Sequence, residues 1–104
     1  MPMRFDHLGV ATTDGDDLAT RFAALFEAPV AHEERFDGMD VRFLALDGGY
    51  FELLEPHEGG PIRKFLDSHG PGIHHVALRT DDIDAALDRA REAGVDLVDE
   101  EPRP

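Results

Sequence analysis

Cysteine and tryptophan are absent, and lysine and tyrosine occur once each, as Lys64 and Tyr50. Without cysteine there is no disulfide, Fe–S cluster or thiolate zinc site, so a metal would have to be held by histidine, carboxylate or amide oxygen. No apolar run approaches the ~20 residues that a membrane helix needs, and the opening residues Met1 to Asp6 lack the apolar stretch of a secretory signal. The expectation is a soluble, cytoplasmic protein. Positive charge is scarce too: 10 Lys and Arg against 23 Asp and Glu give a formal charge of −13. Such a field repels nucleic acid and acidic membrane surfaces. The acids are scattered in pairs such as Asp16-Asp17, Glu33-Glu34, Asp81-Asp82 and Glu100-Glu101. That is the pattern of a solvated surface, like those of proteins from salt-loving microbes, rather than of one acidic site. The 104 residues suffice for one small domain that buries roughly two-thirds of its unfolded surface.

What is present reads as an α+β chain. Arg4 to Thr12 alternates as a strand, with Phe5, His7, Gly9 and Ala11 on one face and Leu8 and Val10 on the other. After an Asp14-Gly15-Asp16 turn, Leu18, Phe22, Leu25 and Phe26 form a helical stripe that ends near Ala28-Pro29. Val30 to Arg35, Val41 to Leu46 and Tyr50 to Leu54 read as strands, with turn signals at Asp37-Gly38 and Gly48-Gly49. Pro61 is placed to open a short helix that Gly70 stops. Ile73 to Thr80 then reads as a strand, Asp81 to Ala93 as a helix with Gly94 at its C′ position, and Val95 to Asp99 as a further strand.

The two halves resemble one another. His7-Leu8-Gly9-Val10-Ala11-Thr12 superposes on His75-Val76-Ala77-Leu78-Arg79-Thr80 at a spacing of 68, and an acidic turn and a helix follow both. This suggests two βαβββ modules related by a pseudo-twofold and lending their sheets to one cleft. The expected organisation is a single domain over 1–104, with module one at 1–56, a connector at 57–71 and a partial second module at 72–104. A full second module would need roughly 25 to 30 further residues.

Two histidines at equivalent module positions would face that cleft, and Glu52 is an acid inside the otherwise apolar Tyr50-Phe51-Glu52-Leu53-Leu54. Taken singly, a strand histidine is more often a structural hydrogen-bonder, and a strand glutamate more often faces water. Taken together, His7, Glu52 and His75 are a nitrogen and oxygen set suited to a borderline divalent cation. Such a set accepts cobalt, manganese, nickel, zinc or iron. His74 alternates away from His75 and reads as structural, and His32, His57 and His69 read as surface groups in loop-like or helix-end settings.

Five segments carry a more specific signal: Phe5-Asp6-His7-Leu8-Gly9-Val10-Ala11, Phe51-Glu52-Leu53-Leu54-Glu55-Pro56, Pro61-Ile62-Arg63-Lys64-Phe65-Leu66, Gly72-Ile73-His74-His75-Val76-Ala77 and Asp99-Glu100-Glu101-Pro102-Arg103-Pro104. In order and spacing they resemble the methylmalonyl-CoA epimerases of the vicinal oxygen chelate, or glyoxalase-like, superfamily. The resemblance implies tandem βαβββ modules, a divalent metal on His7, Glu52 and His75, an acyl-CoA substrate and a homodimer. It also implies a fourth ligand, a glutamate on the last strand of the second module, expected beyond Pro104. Some relatives carry an acid/base glutamate where this chain has Val41, which leaves Glu52 as the sole acid that can be placed in the cleft. Arg63 and Lys64 on the connector helix, and Arg79, are the candidates for meeting anionic parts of the substrate. A glyoxalase I-like lyase, a dioxygenase and a metal-free binding protein of the same fold are the competing readings.

Overall fold

The computed structural model describes residues 2–103 and contains five strands and three helices. Strand β1 (Arg4–Ala11) is followed by helix α1 (Gly15–Phe26), strands β2 (Val30–Phe36), β3 (Met39–Leu46) and β4 (Gly49–Pro56), helix α2 (Pro61–His69), strand β5 (Gly72–Arg79) and helix α3 (Ile83–Glu92). The sheet order is β2-β3-β4-β1-β5. β2 and β4 both run antiparallel to β3, whereas β1 runs parallel to β4. The chain therefore has the α+β class read from its sequence, with one βαβββ module complete.

Two compact units are distinguished, one running from Phe5 to Ala77 and the other comprising the residues before Phe5 together with Leu78 onward. In the larger unit, strand alternation sorts the side chains onto two faces. Under α1 lie Val10, Leu44 and Leu53, packed with Ala19 of the helix and flanked by Leu8, Phe22 and Phe51. Leu44 and Leu53 are fully buried, each worth about 2 kcal/mol of transfer free energy. On the opposite face, Ala11, Val41 and Leu54 pack against Ile62 and Leu66 of α2. The β2–β3 hairpin turns at Asp37-Gly38, both with positive φ (52° and 73°), a conformation that glycine adopts without strain.

The smaller unit repeats the opening of the larger at the spacing seen in the sequence. The Asp14 side chain caps α1 by accepting from the Asp17 amide, and the Thr12 hydroxyl accepts from the Asp14 amide. In α3 the same parts return as Asp82 accepting from the Ala85 amide and Thr80 accepting from the Asp82 amide.

Three sequence expectations are corrected. Val95–Asp99 forms no strand: it has no ladder partner among the described residues, and a strand exists through pairing. The β3–β4 turn sits at Asp47-Gly48 rather than Gly48-Gly49, because Gly49 already pairs with Leu46. His32 lies within β2, not in a loop, although its side chain is largely exposed.

Candidate metal centre

The face opposite α1 carries the candidate site. His7 and Gly9 on β1, Glu52 on β4 and Val41 on β3 rise from it, and the register sets Gly9 beside Glu52 and Phe43 across from Glu52. His75 on β5 reaches the same place from the other side of β1. It can do so because Gly9 has no side chain: a Cβ there would lie 2.2 Å from Cε1 of the His75 ring.

The result is a triangle of ligand atoms. His7 Nε2 is 3.2 Å from His75 Nε2, and Oε1 of Glu52 is 3.4 Å from the first and 3.3 Å from the second. Two ligands each about 2.1 Å from a cation stand roughly 3.0 Å apart at a right angle and roughly 3.4 Å apart at the tetrahedral angle. The observed separations fit that range, so the residues present suit a divalent ion. All three side chains are partly shielded from solvent.

Each imidazole is also oriented from behind. Nδ1 of His7 is 2.6 Å from Asp6 Oδ2. A carboxylate only accepts, so Asp6 suits the tautomer with its proton on Nδ1, the one that would present the Nε2 lone pair to a metal in the triangle. Nδ1 of His75 is 2.9 Å from Nδ1 of His74, whose ring packs edge-on to Phe65 of α2. Burial holds the His75 imidazole below its ordinary value, with the charge of Glu52 opposing and the His74 and His7 rings adding to the shift. Low basicity keeps the ring neutral, the form that binds a cation.

Beside the triangle a cavity of about 440 Å³ opens, walled by Val41, Leu54 and Ile62 and reached by Glu34, Glu52 and His75. The other residues singled out in the sequence lie elsewhere. Arg63 is half-buried and donates to the Pro56 carbonyl (3.1 Å), while Lys64 is exposed on α2. Arg79 is exposed at the end of β5 and belongs to the smaller unit.

The roles of Asp6 and His74 behind the two rings, and of Gly9 beneath one of them, escaped the sequence reading. A lone glycine inside an apolar strand, two residues from a histidine on the same face, is the signal that marks such a close approach. A second group, Asp40, Glu55 and His57, also converges. Its carboxylates are already engaged, Asp40 by Arg35 (2.6 Å) and His57 (2.7 Å) and Glu55 by Arg42 (3.3 Å) and the Gly15 amide (2.8 Å). It is an ion-pair cluster that ties the β2–β3–β4 edge to the start of α1.

Residues 6–104 match the family described as Glyoxalase/Bleomycin resistance protein/Dioxygenase superfamily. The chain is 35% identical over 99 residues to an ethylmalonyl-CoA/methylmalonyl-CoA epimerase of Cereibacter sphaeroides, spanning 91% of this chain and 74% of that protein. Among solved structures, the methylmalonyl-CoA epimerase of Mycobacterium tuberculosis is 36% identical with a TM-score of 0.83, over 96% of this chain and 70% of that one. The Streptomyces coelicolor methylmalonyl-CoA epimerase in complex with 2-nitronate-propionyl-CoA is 33% identical with a TM-score of 0.82, over 99% and 78%. The epimerase resemblance read from the five segments is therefore found again in both sequence and fold. These likenesses run through the strands that carry His7, Glu52 and His75, and the chain belongs to the Glyoxalase/Bleomycin resistance protein/Dioxygenase superfamily.

Proposed function

We propose that the protein is an isomerase that interconverts the 2R and 2S forms of methylmalonyl-CoA with the help of a divalent metal. The observation that carries this reading is the closed triangle of His7, Glu52 and His75 at 3.2 to 3.4 Å, set beside an apolar cavity. The relatives named above, epimerases of methylmalonyl-CoA and in one case also of ethylmalonyl-CoA, support the choice of substrate.

The reaction removes a proton from the carbon between a thioester and a carboxylate and returns one to the other face. Charge then accumulates on the carbonyl oxygens, and a divalent cation supplies the Lewis acidity that stabilises it. His7, Glu52 and His75 are the residues that would hold it, with Asp6 and His74 fixing the two rings. Val41, Leu54 and Ile62 give the cavity apolar walls that suit a methyl branch. Lys64, exposed on α2 of a strongly anionic chain, is the group we assign to the phosphates of CoA. Glu52 is assigned chiefly as a ligand: both imidazole Nε2 atoms converge on its Oε1, and a carboxylate so engaged is a weakened base.

The test is to follow deuterium uptake at C2 from heavy water by NMR, alongside elemental analysis of protein purified without chelator. About one divalent ion per chain and metal-dependent exchange are the expected results. Metal-loaded protein that neither exchanges nor inverts the substrate would overturn the reading. Oxygen consumption by iron-loaded protein would instead favour a dioxygenase, which uses the same pairing of two histidines and a carboxylate.

A further inference from the structure

Inversion at carbon needs a proton carrier that is not tied up in holding the metal, and the cavity offers one. We propose that Glu34, on β2, is a catalytic acid/base that exchanges the C2 proton on one face of the bound substrate; this rests on the epimerase reading. β2 and β3 are in antiparallel register with Glu34 opposite Val41 and His32 opposite Phe43, and Val41 in turn lies opposite Leu54 on β4. Glu34, Val41, Leu54 and Glu52 therefore all rise from the metal-bearing face. Among the described residues that line the cavity, Glu34 and Glu52 are the carboxylates.

The two sit at opposite ends of the space. Two strand spacings and two residues of rise put their Cα atoms on the order of 12 Å apart, which leaves room for a small acyl group between the carboxylates. The adjacent Glu33 has the other orientation, with Oε1 3.6 Å from the Arg42 guanidinium on the α1 face, where a cation neutralises it. Among the described residues Glu34 meets no arginine in this way: its Oε1 is 3.8 Å from His32 Nε2, and its side chain is 47% exposed. It thus keeps contact with water, from which a proton carrier must be replenished. In the step, the C2–H bond breaks, its electron pair moves into the thioester carbonyl to give the enolate, and the proton goes to a Glu34 oxygen. A second proton donor, fed by solvent, protonates C2 on the opposite face, and the reverse reaction exchanges the roles.

The experiment compares Glu34→Gln, Glu34→Asp and the wild type, all metal-loaded, on separate (2R)- and (2S)-methylmalonyl-CoA in heavy water. For Glu34→Gln the expected loss of inversion is on the order of 100-fold or more, with metal content unchanged. One enantiomer should still exchange its C2 proton without inverting, through the donor on its own face, while exchange of the other collapses. Glu34→Asp should recover part of the inversion rate. The proposal is overturned if Glu34→Gln inverts within about threefold of wild type, if it slows exchange of both enantiomers equally, or if it loses metal. Wild-type protein inert toward both enantiomers would overturn the epimerase reading, and this proposal with it; normal wild-type turnover with an unaffected variant would overturn only the role of Glu34.

Discussion

Replacing Gly9 by alanine should empty the metal centre without disturbing the fold. The added Cβ would lie 2.2 Å from Cε1, 2.5 Å from Nδ1 and 2.6 Å from Nε2 of His75. Carbon and nitrogen in ordinary contact stand about 3.5 Å or more apart, so the ring must retreat by about 1 Å or more. Metal–ligand distances tolerate about 0.2 Å. His75 would then cease to be a ligand, and a site of three protein groups would be reduced to His7 and Glu52. Losing a ligand is more severe than disturbing one of its supports, which typically costs 10- to 100-fold in affinity. A loss of at least about 100-fold, or 2.7 kcal/mol, is therefore expected.

The fold should survive because the three nearest atoms in the way all belong to the His75 ring, the end of a side chain that turns about two bonds. Alanine is also favoured over glycine within a strand by roughly 0.5 to 1 kcal/mol. Cobalt(II) titration followed by visible absorbance reads the site, and a thermal melt of the metal-free protein reads the fold. Wild-type cobalt affinity in Gly9→Ala would refute the reasoning, because the ring would then not need the space above Gly9. A collapsed melt would refute it differently, by showing that the strand cannot accept a Cβ.

Four further outcomes are expected. Chelating the metal should lower stability by about 2.7 kcal/mol relative to protein held at 100 times its Kd, and hydrogen exchange should quicken around Gly9 and His75 while α1 stays protected. Lys64→Ala should raise KM several-fold at low salt with kcat unchanged, an effect that fades as ionic strength rises; a fall in kcat alone would contradict the assignment. Arg42, whose side chain is 11% exposed between Asp16, Glu33 and Glu55, should on truncation to alanine cost about 3 kcal/mol by removing the guanidinium from the part-buried Glu55, and an unchanged melting temperature would refute this. Asp40 is held below its ordinary value of 3.8 chiefly by its hydrogen bond to His57, then by Arg35. A depressed carboxyl stabilises fully above its unfolded value and loses that contribution as pH falls through the folded one, so below pH 4 Asp40→Asn should show a shallower acid decline than wild type in melts across pH.

Much of this architecture was legible because period and punctuation agreed. Alternation in Arg4–Ala11, the Asp37-Gly38 turn, the proline that opens α2 and the glycine that closes it each have a local cause, and each lies where the sequence puts it. What failed was non-local. Val95–Asp99 has the composition of a strand, yet Val98 is 96% exposed and the segment has no ladder partner among the described residues. The Asp6 and His74 contacts were hidden for a related reason: strand alternation sends adjacent residues to opposite faces, so a neighbour's side chain curling back onto a ring is invisible to a period-two pattern. In sequence alone Glu34 is half of an acidic pair of the kind that faces solvent. Only the register across Val41 separates it from Glu33, and register is a property of the sheet rather than of either segment.

The repeated Thr-x-Asp element explains why two histidines can meet although they are far apart in the chain. Each lies five residues before its threonine, and each threonine and aspartate fixes the turn from strand to helix by the same hydrogen bonds. Local chemistry thus sets where each histidine stands on its own strand. It does not bring them together; the sheet order does, by seating β5 directly beside β1. With β4 parallel on the other side of β1, Glu52 comes into register with Gly9. Gly9 is then the point at which the His75 ring from one neighbouring strand would collide with a side chain on β1. Its bare backbone lets His75 come within 3.3 Å of Glu52 across β1, so the triangle of candidate ligands depends as much on this missing side chain as on the three that are present.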